Sequence, residues 1–194
     1  PWMQYYPPQL IENLAIPEQT IGEYLRAHCP GDDVVAMHYY GNDITWKQLF
    51  EQVDATARGL KALGLGEGDA IPTFLPEFIY LLLAAEKIGA SILCRDNTLE
   101  ENVEAVRRSG AKLIFTQDYL SQRELNSYRH GSETQIAVLV SPYRSAHYAS
   151  MPAHIQKYID SNYPDKPAYG GRTMSWDWIL EMGEKYTGQV EAPR

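Results

Sequence analysis

Between Trp46 and Thr116 the hydrophobic period switches repeatedly from helical to extended and back, and this alternation leaves the chain few folds to choose from. Trp46, Leu49, Phe50, Val53, Ala57 and Leu60 recur at three- and four-residue steps, which places them on one helical face; Lys47, Gln48, Glu51 and Asp54 fall on the other. Asp54 and Arg58 stand one turn apart, close enough to pair. Gly64 ends this helix, and Gly64-Leu65-Gly66-Glu67-Gly68-Asp69 turns the chain into an apolar strand near Ala70 to Leu75. Pro76 suits a first helical position, and Phe78 to Ala85 is apolar on every side, so the helix that follows should be buried until Gly89 stops it. A strand near Ala90 to Cys94 comes next. Thr98-x-x-Glu101 then has the form of a capping box for a helix Leu99 to Ser109, closed by Gly110 before a strand Lys112 to Thr116. Strands alternating with helices predict an α/β fold, a parallel sheet flanked by helices in βαβ units.

The flanking sequence extends this plan. Thr20 is placed to cap a short helix over Ile21 to His28, ended by Pro30-Gly31. Val34 to Tyr40 is strand-like, and Gly41-Asn42-Asp43 turns it back into Ile44-Thr45-Trp46, a β-hairpin leading into the first long helix. Residues 1–19, with Tyr5-Tyr6-Pro7-Pro8, read as an extended arm packing by its aromatics rather than as a proline-motif ligand, and residues 20–194 as one α/β unit. Beyond Thr116 the expectations are a surface helix over Asp118 to Tyr128, a strand over Gln135 to Val140, and a loop from Ser141 to Pro152. A short helix through Ile155, Tyr158 and Ile159 follows, then a Pro- and Gly-rich stretch to Gly171. Ser175 is placed to cap a last helix through Trp176, Ile179, Leu180 and Met182.

Charge and composition exclude several functions. With 17 Lys+Arg against 25 Asp+Glu, the formal net charge is -8 and no block of like charge stands out beyond Asp32-Asp33 and Glu100-Glu101, so nucleic acid is not an expected partner. Cys29 and Cys94 are too few and too separated for a disulfide framework, so a reducing, cytoplasmic setting is expected. The N-terminal residues lack a basic region followed by an apolar one, and the most apolar run, Phe78 to Ala85, is far short of the about 20 residues needed to cross a bilayer.

Several stretches imitate functional motifs. Gly64-x-Gly66-x-Gly68 has the spacing of a dinucleotide-binding loop, but such a loop follows a strand and opens a helix, and here the order is reversed; a tight αβ turn is expected. Gly170-Gly171-Arg172-Thr173 could form an anion-binding nest, with a simple turn as the plainer reading. His28, His38, His130, His147 and His154 show no metal spacing. His147 and His154 flank a loop with Ser141, Tyr143 and Arg144, the most polar constellation in the chain, read as structural or solvent-exposed. Cys94 precedes Arg95-Asp96, where a basic neighbour could lower a thiol pKa, yet a buried small hydrophobe is the expectation. Trp46, Phe50, Trp176 and Trp178 read as core or packing residues.

Five elements in order carry a family resemblance. They are Ile44-Thr45-Trp46-x-x-Leu49, Ala57-x-Gly59-Leu60-x-x-Leu63-Gly64 with Gly68-Asp69, Ala84-x-x-Lys87-x-Gly89-Ala90, and Ser109-Gly110-Ala111-Lys112-Leu113-Ile114. Together they resemble the N-terminal region of the adenylate-forming superfamily, which includes acyl-CoA synthetases, aryl-CoA ligases, luciferase and peptide-synthetase adenylation domains. Pro76-Glu77, where the family usually has Asn, and Pro72 inside the preceding strand depart from its pattern. The resemblance implies, for a parent protein, AMP-forming ligation of a carboxylate substrate with ATP, Mg2+ and CoA. The family's phosphate loop, Ser/Thr-Gly-Thr-Thr-Gly-x-Pro-Lys-Gly, has no counterpart: Tyr186-Thr187-Gly188 begins like it, and Gln189-Val190-Glu191 continues it differently. The expectation is therefore an N-terminal fragment truncated before that loop and inactive on its own. No catalytic or metal residue is assigned, cofactor-binding positions stay unassigned, and the remainder of the same ligase chain is the implied partner. Self-association through exposed apolar surface is a further expectation. The rivals are a stand-alone α/β module binding a small ligand or nucleotide near Pro76, Arg95 to Thr98 and Gln117, and a structural interaction domain without catalysis.

Overall fold

The computed structural model describes residues 2–9, 18–39, 41–73, 78–94, 99–117, 126–127, 136–140, 148–162 and 169–192. Helix α1 (Ile21–His28) precedes a hairpin of β1 (Val35–Tyr39) and β2 (Asn42–Thr45), which leads into α2 (Trp46–Ala62). Then come β3 (Ala70–Thr73), α3 (Phe78–Ile88), β4 (Ser91–Cys94), α4 (Leu99–Ser109) and β5 (Leu113–Gln117). The chain continues through β6 (Ile136–Val140), α5 (Ala153–Asn162), β7 (Thr173–Ser175) and α6 (Trp176–Glu184). The five strands β4-β3-β5-β6-β7 form one sheet in that order, every pair parallel. The α/β architecture expected from the alternation is the one observed.

Local chemistry sets the element ends. Thr20 accepts a hydrogen bond from the Glu23 amide while the Glu23 carboxylate accepts one from the Thr20 amide, a reciprocal cap that starts α1. Thr45 and Gln48 make the same exchange at α2, at 3.2 and 2.9 Å. Ser175 accepts from the Trp178 amide at α6. Gly64, Gly89 and Gly110 follow α2, α3 and α4 with φ of +79°, +76° and +63°, the left-handed turn that ends a helix at little cost only in glycine. Thr45→Ala should therefore cost about 1 kcal/mol, a drop of about 2 to 4 °C in Tm for a chain of this size, and Thr45→Ser should restore most of it in thermal unfolding.

The main buried cluster lies between the sheet and the helices α2, α3 and α6. Leu49, Val53, Ala57 and Leu60 of α2, Leu81, Ala84 and Ile88 of α3, and Trp176 and Ile179 of α6 join Ile71, Leu113 and Phe115 of the sheet in one buried cluster. Leu113, Ile114, Phe115 and Thr116 are all buried in succession, so β5 is covered on both faces, as a central parallel strand should be. Trp46 and Trp178 pack against the core from its rim.

The structure also departs from the sequence reading. The hairpin turn sits one residue earlier than Gly41-Asn42-Asp43: Gly41 carries a φ of +81°, and Asn42 and Asp43 already belong to β2, opposite Tyr39 and His38. Asp54 does not take Arg58 as its ion-pair partner but turns outward to Arg26 and Lys87. Tyr5 and Tyr6 are exposed rather than packed. Strand β7 is an element the sequence reading does not contain: Thr173 falls in the expected turn and Ser175 at the expected cap, and three residues are too few to show a period. Pro72 sits in β3 with β4 on one side and β5 on the other; it has no amide to donate, and β3 meets β5 at one register pair, Thr73 with Phe115. The caps assigned to Pro76 and Thr98 and most of the helix expected over 118–128 lie outside the described residues.

Candidate functional site

In a parallel sheet all strands end on one edge, and ligands favour the crevice outside that edge where the strand order reverses. Here the reversal falls between β3 and β5, because α3 leads from β3 to β4 on one side and the later strands build outward on the other. Thr73 ends β3 at this point and Thr116 lies one residue before the end of β5. Both are buried, and both hydroxyl oxygens lack a hydrogen-bond partner. Cys94 ends β4 on the outer edge of the sheet and is exposed, contrary to the expectation of burial, because β4 has a neighbour, β3, on one side only. Pro76 and Arg95 to Thr98 lie outside the described residues, so of the positions proposed for a ligand there only Gln117, closing β5, is placed.

A second polar constellation, which sequence reasoning missed, lies on the helical layer. The Asp54 carboxylate of α2 takes Arg26 Nη2 of α1 at 2.9 Å and Lys87 Nζ of α3 at 3.0 Å. The neighbouring Glu86 carboxylate accepts the Ile21 and Gly22 amides, each at 2.8 Å, placing negative charge at the N-terminus of α1. The Arg26 guanidinium lies 4.1 Å from the centre of the Phe50 ring. Beside these groups is a cavity of about 430 Å³ with Phe50, Val53 and Leu83 among its lining. The signal was present as three charged residues at helix-surface positions, but their sequence separations of 28 and 33 residues hid it. Asp54→Asn should cost about 1 to 2 kcal/mol in urea unfolding, since it removes a partner shared by two partly exposed cations.

The motif lookalikes resolve as turns. Asp69 accepts the Gly66 amide at 2.9 Å, and Lys112 donates to the Gly64 carbonyl while pairing with Asp69 at 3.0 Å, so the Gly64 to Gly68 run is closed by the side chains of Asp69 and Lys112. Gly170 and Thr173 exchange both backbone hydrogen bonds, leaving two fewer amides for an anion. Tyr186 donates its hydroxyl to the Gln189 carbonyl at 3.0 Å, and a Cβ on Gly188 would fall 2.5 Å from that hydroxyl, a geometry that holds no phosphate cradle. His28 stacks on Tyr24, His38 pairs with Asp43 at 2.6 Å and His154 is exposed; His130 and His147 lie outside the described residues.

A profile of AMP-binding enzymes matches residues 26–175, from α1 through the last strand. The chain belongs to the AMP-binding enzyme family. It is 31% identical over 124 residues to an acetyl-coenzyme A synthetase of Methylocella silvestris, a stretch covering 61% of this chain and 18% of that protein. Over 123 residues it is 28% identical to a mitochondrial medium-chain acyl-CoA ligase of Bos taurus, covering 58% of this chain and 20% of the ligase. The structure superposes on an acetoacetyl-CoA synthetase from Streptomyces lividans with a TM-score of 0.53 at 16% identity, over 78% of this chain and 22% of the other. The chain thus corresponds to about a fifth of these relatives' length. Among the described residues no group of three His, Cys, Asp or Glu is placed to hold a metal ion, and no helix is long and apolar enough to cross a membrane.

Proposed function

We propose that this AMP-binding family member is the N-terminal α/β part of an ATP-dependent, AMP-forming carboxylate ligase of the acyl-CoA synthetase kind, and that the 194-residue chain does not activate an acid on its own. The family match over residues 26–175 carries the reading. Residues 20–194 form the scaffold in this proposal and residues 1–19 an arm ahead of it. ATP, Mg2+ and CoA belong to the longer protein, whose remaining chain is the partner of this part. Polyphosphate binding needs backbone amides, a cation and a lysine brought together, and the sequence of this chain contains no Gly/Ser/Thr-rich loop ending in Lys. Ile21, Tyr24, Val34 and Val35 are exposed and give the chain apolar surface for self-association.

ATP–pyrophosphate exchange with acetate, octanoate and benzoate tests the reading on two proteins: the 194-residue chain and the product of its complete reading frame. Exchange is expected from the longer protein alone, with a glycine-rich loop ending in Lys downstream of Arg194. Exchange by the 194-residue chain would remove the claim of inactivity. A complete frame that lacks any such loop would remove the ligase.

A further inference from the structure

After α6 the chain does not run away from the fold. Tyr186 donates its amide to the Gly183 carbonyl and its hydroxyl to the Gln189 carbonyl, folding residues 185–189 into a tight turn. Val190 then packs against the core, the Ala192 amide donates to the Lys87 carbonyl at 3.0 Å, and Glu191 approaches Lys87 Nζ at 3.6 Å. Ala192 also lies beside the turn after α3, close enough that a Cβ added to Gly89 would come within 2.9 Å of it. Lys87 is thus the common anchor of an alternating chain of charge, Arg26, Asp54, Lys87 and Glu191. The cavity of about 430 Å³ lies between α1 and this segment: Thr20, Gly22, Glu23 and Arg26 line it from one side, Glu191 and Ala192 from the other, over Phe50, Val53 and Leu83.

We propose that residues 185–192 form a strap, held electrostatically at Lys87, that opens and closes one wall of this cavity independently of the rest of the fold. The strap contributes few buried side chains, and its ion pair has Glu191 74% exposed, so it belongs to the least stable part of the molecule. Opening it uncovers the apolar floor, which is otherwise buried: Phe50 is 7%, Val53 4% and Leu83 2% exposed. The inference concerns the strap alone and does not depend on ligase activity.

Amide hydrogen exchange on the 194-residue chain tests it. In Lys87→Met, exchange at Ala192 should rise about fivefold, the size expected for loss of a partly exposed ion-pair anchor, while α2 and β5 keep wild-type protection. Raising salt from about 50 mM to about 1 M should speed Ala192 exchange in the wild type and leave Lys87→Met unchanged. The uncharged dye N-phenyl-1-naphthylamine should fluoresce more with Lys87→Met than with the wild type. Glu191→Gln, which leaves Lys87 and Asp54 in place, should reproduce part of the change at Ala192. Unchanged exchange at Ala192 in both variants would overturn the proposal, and so would a parallel rise across α2 and β5, which would mean that the strap does not open separately.

Discussion

Replacing Gly59 or Gly183 by alanine should each destabilise the chain by about 3 kcal/mol, seen as a loss of about 6 to 12 °C in Tm. Helices α2 and α6 cross so closely that their backbones touch at these two residues. A Cβ on Gly59 would fall against the carbonyl oxygen of Ile179 and lie 2.5 Å from its Cγ2; a Cβ on Gly183 would lie 2.7 Å from the Gly59 amide nitrogen and 3.0 Å from the Ala55 carbonyl oxygen. These neighbours are mainly backbone, which cannot swing aside as a side-chain tip can. Alanine in a free helix interior would gain about 1 kcal/mol over glycine, so a measured loss gives the cost of forcing the helices apart after that gain is overcome. The double variant should cost less than the sum, because once the helices separate the second methyl has room. Unchanged unfolding for both single variants would mean that α2 and α6 do not meet at this contact.

Phe115→Ala should cost about 4 kcal/mol in urea unfolding, the largest effect expected of a truncation here. Phe115 is fully buried in the central strand β5, and its ring meets Trp176 edge-on, 6.2 Å between centroids at 68°. Trp176 opens α6, so this one contact ties the middle of the sheet to a helix that follows 61 positions later in the sequence by the numbering of the two residues. Phe115 belongs to the buried cluster that joins the sheet to α2, α3 and α6, so the cavity left by alanine is walled by elements that their other core contacts hold in place. Phe115→Leu should recover more than half of the loss, since most of the cost is buried volume rather than ring geometry. Equal losses for Leu and Ala would place the weight on the ring contact instead.

The two predictions rest on different kinds of information, and the division runs through the whole protein. The hydrophobic period of α2, the left-handed glycines after α2, α3 and α4, and the hydroxyl caps at Thr20 and Ser175 were all legible, because each is an interaction between residues a few positions apart; the Thr45 cap is equally local and went unread. Family membership was legible for a related reason, since its motifs are turns and helix faces whose spacing survives in the sequence. Asp54 shows where this stops. Its nearest cation in the sequence is Arg58, and local geometry alone favours that pair, but the folded chain brings Arg26 and Lys87 within 3.0 Å or less. Cys94, expected in the interior as a small hydrophobe, is exposed because β4 lies at the outer edge of the sheet.

Strand order is the deciding quantity in that case and in others. Local periodicity says that Ala70 to Thr73, Ser91 to Cys94 and Leu113 to Gln117 are strands; it does not say that β3 lies between β4 and β5, nor that Thr73 and Thr116 come to the edge of the sheet where the order reverses. The same holds for the docking of Glu191 and Ala192 at Lys87, across more than a hundred residues of chain. Helix faces, caps and turns are set by short-range sterics and hydrogen bonding, which a linear pattern records. Which strand lies at the edge, which glycines face a crossing helix and which charges meet are set by how the layers pack to bury their apolar faces together, and that is a property of the folded chain as a whole.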